Sequence, residues 1–475
     1  MIEKREFYIN GKWVKPVVSN DFQIIDAASE EPCAVISLGS KKDVDAAVAA
    51  AGRAFPAWSA TSLSHRIGLL QKLLHIMNAR LEKTGEIISL EMGAPIDMAI
   101  SSQAACGPWH LQAFLDAASE FHWEYDRNSK GERIIREPIG VCGLITPWNW
   151  PSNQIALKVV PALLAGCTMV LKPSEIAPLS GIDFAEMVHE AGFPAGVFNL
   201  VNGDGIGVGS AMSAHPDIAL MSFTGSARAG IQISKAAADS IKRVSLELGG
   251  KSPNIVFADS DLDAAIQRGV AHCFDNTGQS CNAPSRMLVE ESVYGQAVDL
   301  AKKHGEKILV GSPREHGGHI GPLASKAQFN KVQELIQAGI DEGARLVLGG
   351  TGRPDGFNRG WYLRPTIFAD VNNTMRIARE EVFGPVLAMI PFKDEAEAIK
   401  IANDTPYGLA AYIQTGDKQK AQRVARALQA GMVRINGAGL SGGHPFGGFK
   451  QSGNGREGGI FGLEDYLEVK VVGGW

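Results

Sequence analysis

From Ile139 onward the chain settles into a repeat that few folds accommodate, with short apolar runs separated by amphipathic segments. Residues 139–145, 169–171, 197–201 and 218–223 read as buried strands, and Phe184, Met187, Val188 and Ala191 mark a helix closed by Gly192 and Pro194. Strands alternating with helices predict an open parallel sheet covered on both faces, which binds ligands at the carboxyl ends of its strands. A second mixed α/β series runs over 255–435, with helices near 262–272, 293–308 and 327–343, and residues 42–120 carry helical i, i+3, i+4 spacing. At 475 residues the chain exceeds what one hydrophobic core supports, so two or three domains are expected.

Charge and composition exclude several partners. A net charge of −5 offers no basic field to a phosphate backbone, so nucleic acid is not expected. The first residues mix charges and lack a signal peptide's apolar core, and the most apolar run, Val159 to Leu171, is broken by Pro161 and Gly166. A soluble, cytoplasmic protein without membrane contact is the expectation. The six cysteines form no C-x-x-C pair and read as free thiols. His316-Gly-Gly-His319 has no accompanying carboxylate or cysteine cluster and reads as a surface loop, so no metal is expected.

Four stretches carry candidate chemistry. Cys281 lies in Asn276-Thr-Gly-Gln-Ser-Cys-Asn-Ala-Pro-Ser-Arg286, among polar neighbours that suit an accessible thiol better than core filling. A nucleophilic thiol needs a nearby base, an electropositive surrounding or oriented N–H groups to lower its pKa; from this segment alone, nucleophile and inert buried thiol are equal readings. Glu247 ends an alternating run, Val244, Leu246 and Leu248 facing one way and the carboxylate the other, before Gly249-Gly250. That suits a general base, although a solvent-facing glutamate fits the same pattern better. The glycine turns at Gly203–Gly209 and at Gly225-Ser226 follow strands, where glycine lets a phosphate approach a helix N-terminus; each is equally a plain turn. Glu380-Glu381 reads as a solvated pair by default, the 445–459 loop is too glycine-rich for regular structure, and 466–472 alternates as a strand open to another subunit.

Taken together the chain resembles the NAD(P)-dependent aldehyde dehydrogenase superfamily over nearly its whole length. Seven motifs carry the resemblance in order: Pro147-Trp-Asn-Trp-Pro151, Lys172-Pro-Ser-Glu175, Phe223-Thr-Gly-Ser226, Leu246-Glu-Leu-Gly-Gly-Lys251, Gly278-Gln-Ser-Cys281, Glu380-Glu-Val-Phe-Gly-Pro385 and Pro445-Phe-Gly-Gly-Phe-Lys450. The resemblance implies a Rossmann-like cofactor domain (1–120 and 139–248), an α/β catalytic domain (249–450) and a small β oligomerisation unit (121–138 and 467–475), assembled as dimers or tetramers. It implies that Cys281 attacks an aldehyde to give a thiohemiacetal, with the oxyanion held by Asn149 and the Cys281 N–H. Hydride transfer to NAD then leaves a thioester, which water activated by Glu247 hydrolyses. Lys158 and Glu457 match a proton-relay pair, with a plain buried ion pair as the equal alternative.

By the same resemblance NAD is held by Thr146, Pro147, Trp148, Lys172, Ser174, Glu175, Gly205, Gly209, Phe223, Gly225, Ser226, Leu248, Gly249, Glu381 and Phe383. Glu175 at the adenine ribose favours NAD over NADP. Many family members have threonine where this chain has Ala227, so that hydroxyl contact is missing. The aldehyde tunnel is matched by Trp150, Gln154, Leu157, Leu440 and Phe446, with His444 nearby; no arginine or carboxylate stands among them, which suggests an apolar or aromatic aldehyde. Three rivals stay in view. Glu247 argues against an acylating enzyme that passes the thioester to coenzyme A, intact Cys281, Glu247 and Asn149 argue against a non-catalytic relative, and the presence of all the nucleotide-site residues argues against a cysteine hydrolase without redox chemistry.

Overall fold

The apolar runs after Ile139 become neighbouring parallel strands of one seven-stranded sheet in the computed structural model, which describes residues 1–129 and 131–475. Residue 130, within the arm expected over 121–138, lies outside the described residues. The strand order is Arg243–Glu247, Leu220–Thr224, Val141–Ile145, Thr168–Lys172 and Phe198–Leu200, followed by an antiparallel hairpin of Phe7–Ile9 and Lys12–Val14. The chain first builds outward from Val141–Ile145 and then returns to its other side with Leu220–Thr224. That reversal leaves a crevice beyond the carboxyl ends of these two strands, where open α/β sheets take ligands.

Val141–Ile145 and Thr168–Lys172 are buried along their whole length because helices cover both sheet faces. Pro151–Ala165 is apolar around nearly its whole circumference and correspondingly buried. Each Leu, Ile or Val that it removes from water contributes about 1.5–3 kcal/mol before entropy is subtracted. Pro151 suits the first turn, where the missing N–H has no intrahelical partner. The helix Leu179–Ala191 ends, as its composition predicts, at Gly192 in the left-handed region (φ 85°).

A second seven-stranded sheet has the order Arg345–Leu348, Thr366–Ala369, Val386–Phe392, Arg286–Glu290, Pro253–Val256, Ala410–Gln414 and Met432–Ile435, parallel except at its first strand. The link between the sheets is held by Ser452, fully buried in the glycine-rich C-terminal loop. Its hydroxyl donates to Gly249 O and accepts from Gly408 N, and its carbonyl accepts from Leu248 N. The segment thus has a fixed course despite its composition.

The C-terminal strand has a place in its own chain. Leu467–Gly473 pairs antiparallel with Glu132–Pro138, which pairs with Glu124–Asn128, so tail and arm form a three-stranded sheet with one edge of the tail unpaired. Among the described residues, no helix is long and apolar enough to cross a membrane.

Candidate active site

Cys281 follows a turn that no ordinary helix or strand would tolerate. Asn276, Thr277 and Gly278 have φ of 50°, 56° and 71°, and a side chain at Gly278 would strike the Gly384 carbonyl. Left-handed non-glycine residues cost of order 1–3 kcal/mol each and persist only where their surroundings hold them. Here buried hydrogen bonds do so. Gln103 Nε2 donates to Asn276 Oδ1 (2.9 Å), Asn276 Nδ2 to Asn149 O (2.9 Å), and Thr277 Oγ1 to Gly321 O (3.0 Å). Gln279 Oε1 accepts from Ala324 N (2.9 Å). Gln103 and Asn276 therefore support the cysteine loop without any sequence motif announcing them; only the two left-handed positions before Gly278, invisible in one dimension, create the need.

Asn149, 3% exposed, donates one Nδ2 hydrogen to Gln279 O at 2.9 Å, leaving its second hydrogen for a ligand beside Cys281. The half-buried thiol is held in its neutral form. Burial is the main cause, and the carboxylates of Glu381 and Glu247 add to it. The surroundings are therefore the reverse of the electropositive setting that a thiolate calls for, and a base must take the proton.

Glu247 is 2% exposed, which overturns the solvent-facing reading. Both carboxylate oxygens lack hydrogen-bond partners, and Gly447 lies so close that a Cβ there would come within 2.6 Å of Oε1. Burial raises the pKa well above the carboxylate range, Glu457 raises it further, and Lys158 opposes both. Lys158 and Glu457 form a buried ion pair. The C-terminal loop brings Glu457 in by pairing Phe446 with Glu457 and Gly453 with Glu247.

A cavity of about 170 Å³ opens at the crevice between the reversed strands. Its walls include Pro147, Trp148 and Asn149 beyond one strand, Thr224 at the end of the other with Gly225 and Ser226 after it, then Leu248, Gly249, Cys281, Glu381 and Phe383. Ser226 caps the helix Ala227–Ala238, accepting from Ala229 N at 3.3 Å, so the helix N-terminus faces the crevice. Thr224 Oγ1 is buried without a partner. Glu381 is not the solvated acid expected by default: Oε1 accepts from Gly250 N at 3.1 Å, burial raises its pKa, and Gly249 leaves its carboxylate room. Phe383, itself left-handed, meets Trp148 edge-on at 5.4 Å. Gln328 and Lys331, from the helix Lys326–Asp341, complete the wall and were not expected from sequence.

The other expected cofactor residues do not line this cavity. Lys172 Nζ donates to Pro173 O (3.0 Å) and Glu175 Oε2 (3.3 Å), and Thr146 N donates to Lys172 O (3.1 Å). Ser174 Oγ accepts from Ile176 N. Phe223 fills the space beside Gly225, while Gly205–Gly209 forms a wide helical turn capped by Asp204.

On the other side of the cysteine loop lies a cavity of about 220 Å³. Leu157, Leu440, His444 and Phe446 line it, as do Cys106, Trp109, His110, Asn153, Asn282, Tyr412, Met432 and Arg434. Two expected tunnel residues are not among its walls: the Trp150 indole donates to Ser280 Oγ (2.9 Å), and Gln154 is buried within its helix. Arg434, not among the residues expected here from sequence, also stands in this wall. His316 and His319 are occupied elsewhere, on Asp97 and Ser312 O, and among the described residues no group of three or more His, Cys, Asp or Glu is arranged to hold a metal.

The half-buried Cys281 thus lines the cavity at the reversal point of the parallel sheet and packs against Ala410, Tyr412 and Met432, which line the second cavity. The chain belongs to the aldehyde dehydrogenase family, whose sequence profile matches residues 13–472. It is 52% identical to the 3-succinoylsemialdehyde-pyridine dehydrogenase of a Pseudomonas species, covering 100% of this chain and 99% of that protein. The fold superposes on an aldehyde dehydrogenase from Bartonella henselae with a TM-score of 0.99 at 55% identity, each chain covered fully. Aldehyde dehydrogenase C of Pseudomonas syringae, solved with NAD+ and octanal, matches with a TM-score of 0.98 at 48% identity over 99% of this chain and 96% of that one.

Proposed function

We propose that the protein oxidises an aldehyde to a carboxylic acid with NAD through a covalent Cys281 intermediate, a reading carried by the position of Cys281 between the two cavities, with Glu247 buried nearby. The residues at the crevice fit a dinucleotide: Ser226 and the adjoining helix N-terminus suit a pyrophosphate, the unpartnered Thr224 hydroxyl and the Glu381 carboxylate suit ribose or nicotinamide polar groups, and Trp148 and Phe383 supply flat apolar contact. NAD, when bound, supplies the hydride acceptor.

Glu247 takes the thiol proton as Cys281 Sγ bonds to the aldehyde carbon, and the carbonyl electron pair moves onto oxygen. The free hydrogen of Asn149 Nδ2 and the Cys281 N–H stabilise this oxyanion of the thiohemiacetal. Loss of hydride restores the carbonyl as a thioester on Cys281. Once Glu247 has released the first proton to solvent, a water molecule gives a proton to it and adds to the thioester; the C–S bond breaks, Glu247 returns that proton to the departing sulfur, and the acid leaves with the thiol regenerated. The Lys158–Glu457 pair tunes this base electrostatically, in opposite directions.

Glu175 beside Lys172 favours NAD over NADP, because a 2′-phosphate would add about −1.5 to −2 charges near a carboxylate. The apolar walls suit an apolar or aromatic aldehyde, in keeping with the octanal bound by one relative and the pyridine-bearing semialdehyde that names another. The unpaired edge of Leu467–Gly473, with Val469 and Val471 exposed, suits assembly into dimers or tetramers. The test is NADH formation and acid release across aliphatic, aromatic and semialdehyde substrates. Acid and NADH in equal amounts are expected; no NADH from any aldehyde overturns the reading, and a requirement for coenzyme A transfers it to the acylating class.

A further inference from the structure

Beyond the tunnel residues expected from sequence, the aldehyde-side wall carries one cation, Arg434, and its place follows from strand register. Ala410 pairs with Met432 and Tyr412 with Arg434 in adjacent parallel strands, so these four side chains share one sheet face and all line the aldehyde-side cavity. Met432 belongs to the cluster against which Cys281 packs. Arg434 is two residues further along its strand, a step of roughly 6–7 Å beyond Met432, and sits beside Tyr412, another member of that cluster.

Arg434 has unspent binding capacity. Its Nε donates to Ala438 O at 2.7 Å, and among the described residues no carboxylate pairs with it. No Asp or Glu lines the cavity, so nothing there offsets the guanidinium. His110, in the same wall, is 8% exposed and kept neutral by burial, its pKa near 4. The remaining walls are largely apolar or aromatic: Trp109, Leu157, Met432, Leu440 and Phe446.

Building on the aldehyde oxidation proposed above, we infer that Arg434 selects aldehydes that carry a hydrogen-bond acceptor several bonds from the reacting carbonyl, as a keto oxygen, ring nitrogen or carboxylate. The apolar walls take the intervening chain or ring, and the guanidinium receives the acceptor at the far end. A fixed fork of donors suits lone pairs on oxygen or nitrogen, and a hydrogen bond to a charged group in a partly dry wall outweighs a neutral one.

The test compares pentanal, 4-oxopentanal and 5-oxopentanoate, matched in chain length, on the unmodified enzyme and on Arg434→Met. Expressing the result as a ratio of kcat/KM on one protein preparation cancels any loss of folded enzyme. The unmodified protein is expected to prefer at least one acceptor-bearing aldehyde over pentanal by about tenfold or more, chiefly through KM. Arg434→Met brings that ratio toward one, and Arg434→Lys keeps part of it. Whether the keto or the carboxylate substrate gains more separates neutral from anionic acceptors. A ratio near one in the unmodified protein, or the same ratio in Arg434→Met, overturns the inference. Failure to oxidise any of the three, and any other aldehyde, instead overturns the aldehyde reading on which it rests.

Discussion

The two cavities on either side of Cys281, which lines the first and packs against wall residues of the second, are of similar size, about 170 and 220 Å³, and are built in different ways. On the cofactor side the walls come largely from short contiguous stretches: 147–149, 224–226, 248–249 and 381–383. Most of these sit where a strand ends, so parallel strand order alone brings them together. On the aldehyde side, small contributions arrive from 106–110, 153–157, 282, 410–412, 432–434 and 440–446, each carried by a different element. One wall is therefore a property of a sheet, whereas the other depends on how helices, a second sheet and a loop pack. Changes in the first should alter cofactor use, and changes in the second should alter which aldehyde is accepted.

The strongest test of that division is the residue that stands between the two sides. Cys281→Ser removes the nucleophile and is expected to abolish turnover while leaving NAD affinity, measured by titration calorimetry, within about twofold. Appreciable steady-state NADH formation by this variant would show that the chemistry lies elsewhere.

Glu247→Gln should cut steady-state turnover by about 10²–10⁴-fold, the usual span for a positioned base. Stopped-flow absorbance should retain an NADH burst of about one per active subunit if the carboxylate mainly activates water; loss of the burst would make thiol deprotonation its main task. The pH dependence has a definite sign. The base works ionised, and burial holds its pKa above the ordinary value, so kcat/KM rises with pH as Glu247 loses its proton, above the usual carboxylate range. That limb should vanish in Glu247→Gln.

A smaller effect belongs to the cofactor side alone. The unmodified protein is expected to favour NAD over NADP by at least tenfold in kcat/KM, which needs about 1.4 kcal/mol. Like charges about 4 Å apart at an effective dielectric near 20 repel by roughly 4 kcal/mol, and Lys172 offsets part of it. Glu175→Ser should narrow the gap and leave the order of aldehyde preference intact. Equal use of both cofactors by the unmodified protein would remove Glu175 from the ribose.

The smallest change is expected from Leu440→Ala on the aldehyde side. Leu440 is 38% exposed, so truncation removes only part of an apolar contact, about 1 kcal/mol or fivefold in kcat/KM for a long-chain aldehyde. The KM for NAD should stay put. A matching shift in cofactor KM would show that the two walls are coupled rather than separate.

Much of this architecture was legible before any coordinates. The strands at 141–145, 168–172, 198–200 and 220–224 follow from apolar runs, and the 179–191 helix from its periodicity and terminal glycine. Cys281 stood out by its polar neighbours, and motif order singled out Glu247 and Asn149. Burial was harder to read. Glu247 looked solvent-facing because alternation says only that it opposes Leu246; the loop that covers it comes from some 200 residues further on. Glu381 misled in the same way.

The sequence by itself determined the local choices: which runs are strands, where helices stop, and that a thiol, an amide and a carboxylate are present in the order the family uses. Those depend on side-chain periodicity and backbone preference over a few neighbours. Only the tertiary structure decided that the thiol rests protonated among carboxylates, that Gln103 and Asn276 hold its left-handed turn, and that Arg434 rather than Trp150 or Gln154 reaches the aldehyde wall. Proton affinity depends on desolvation and on charges a few ångströms away, and a cavity wall depends on which elements pack there, so neither is a property of neighbouring residues in the chain.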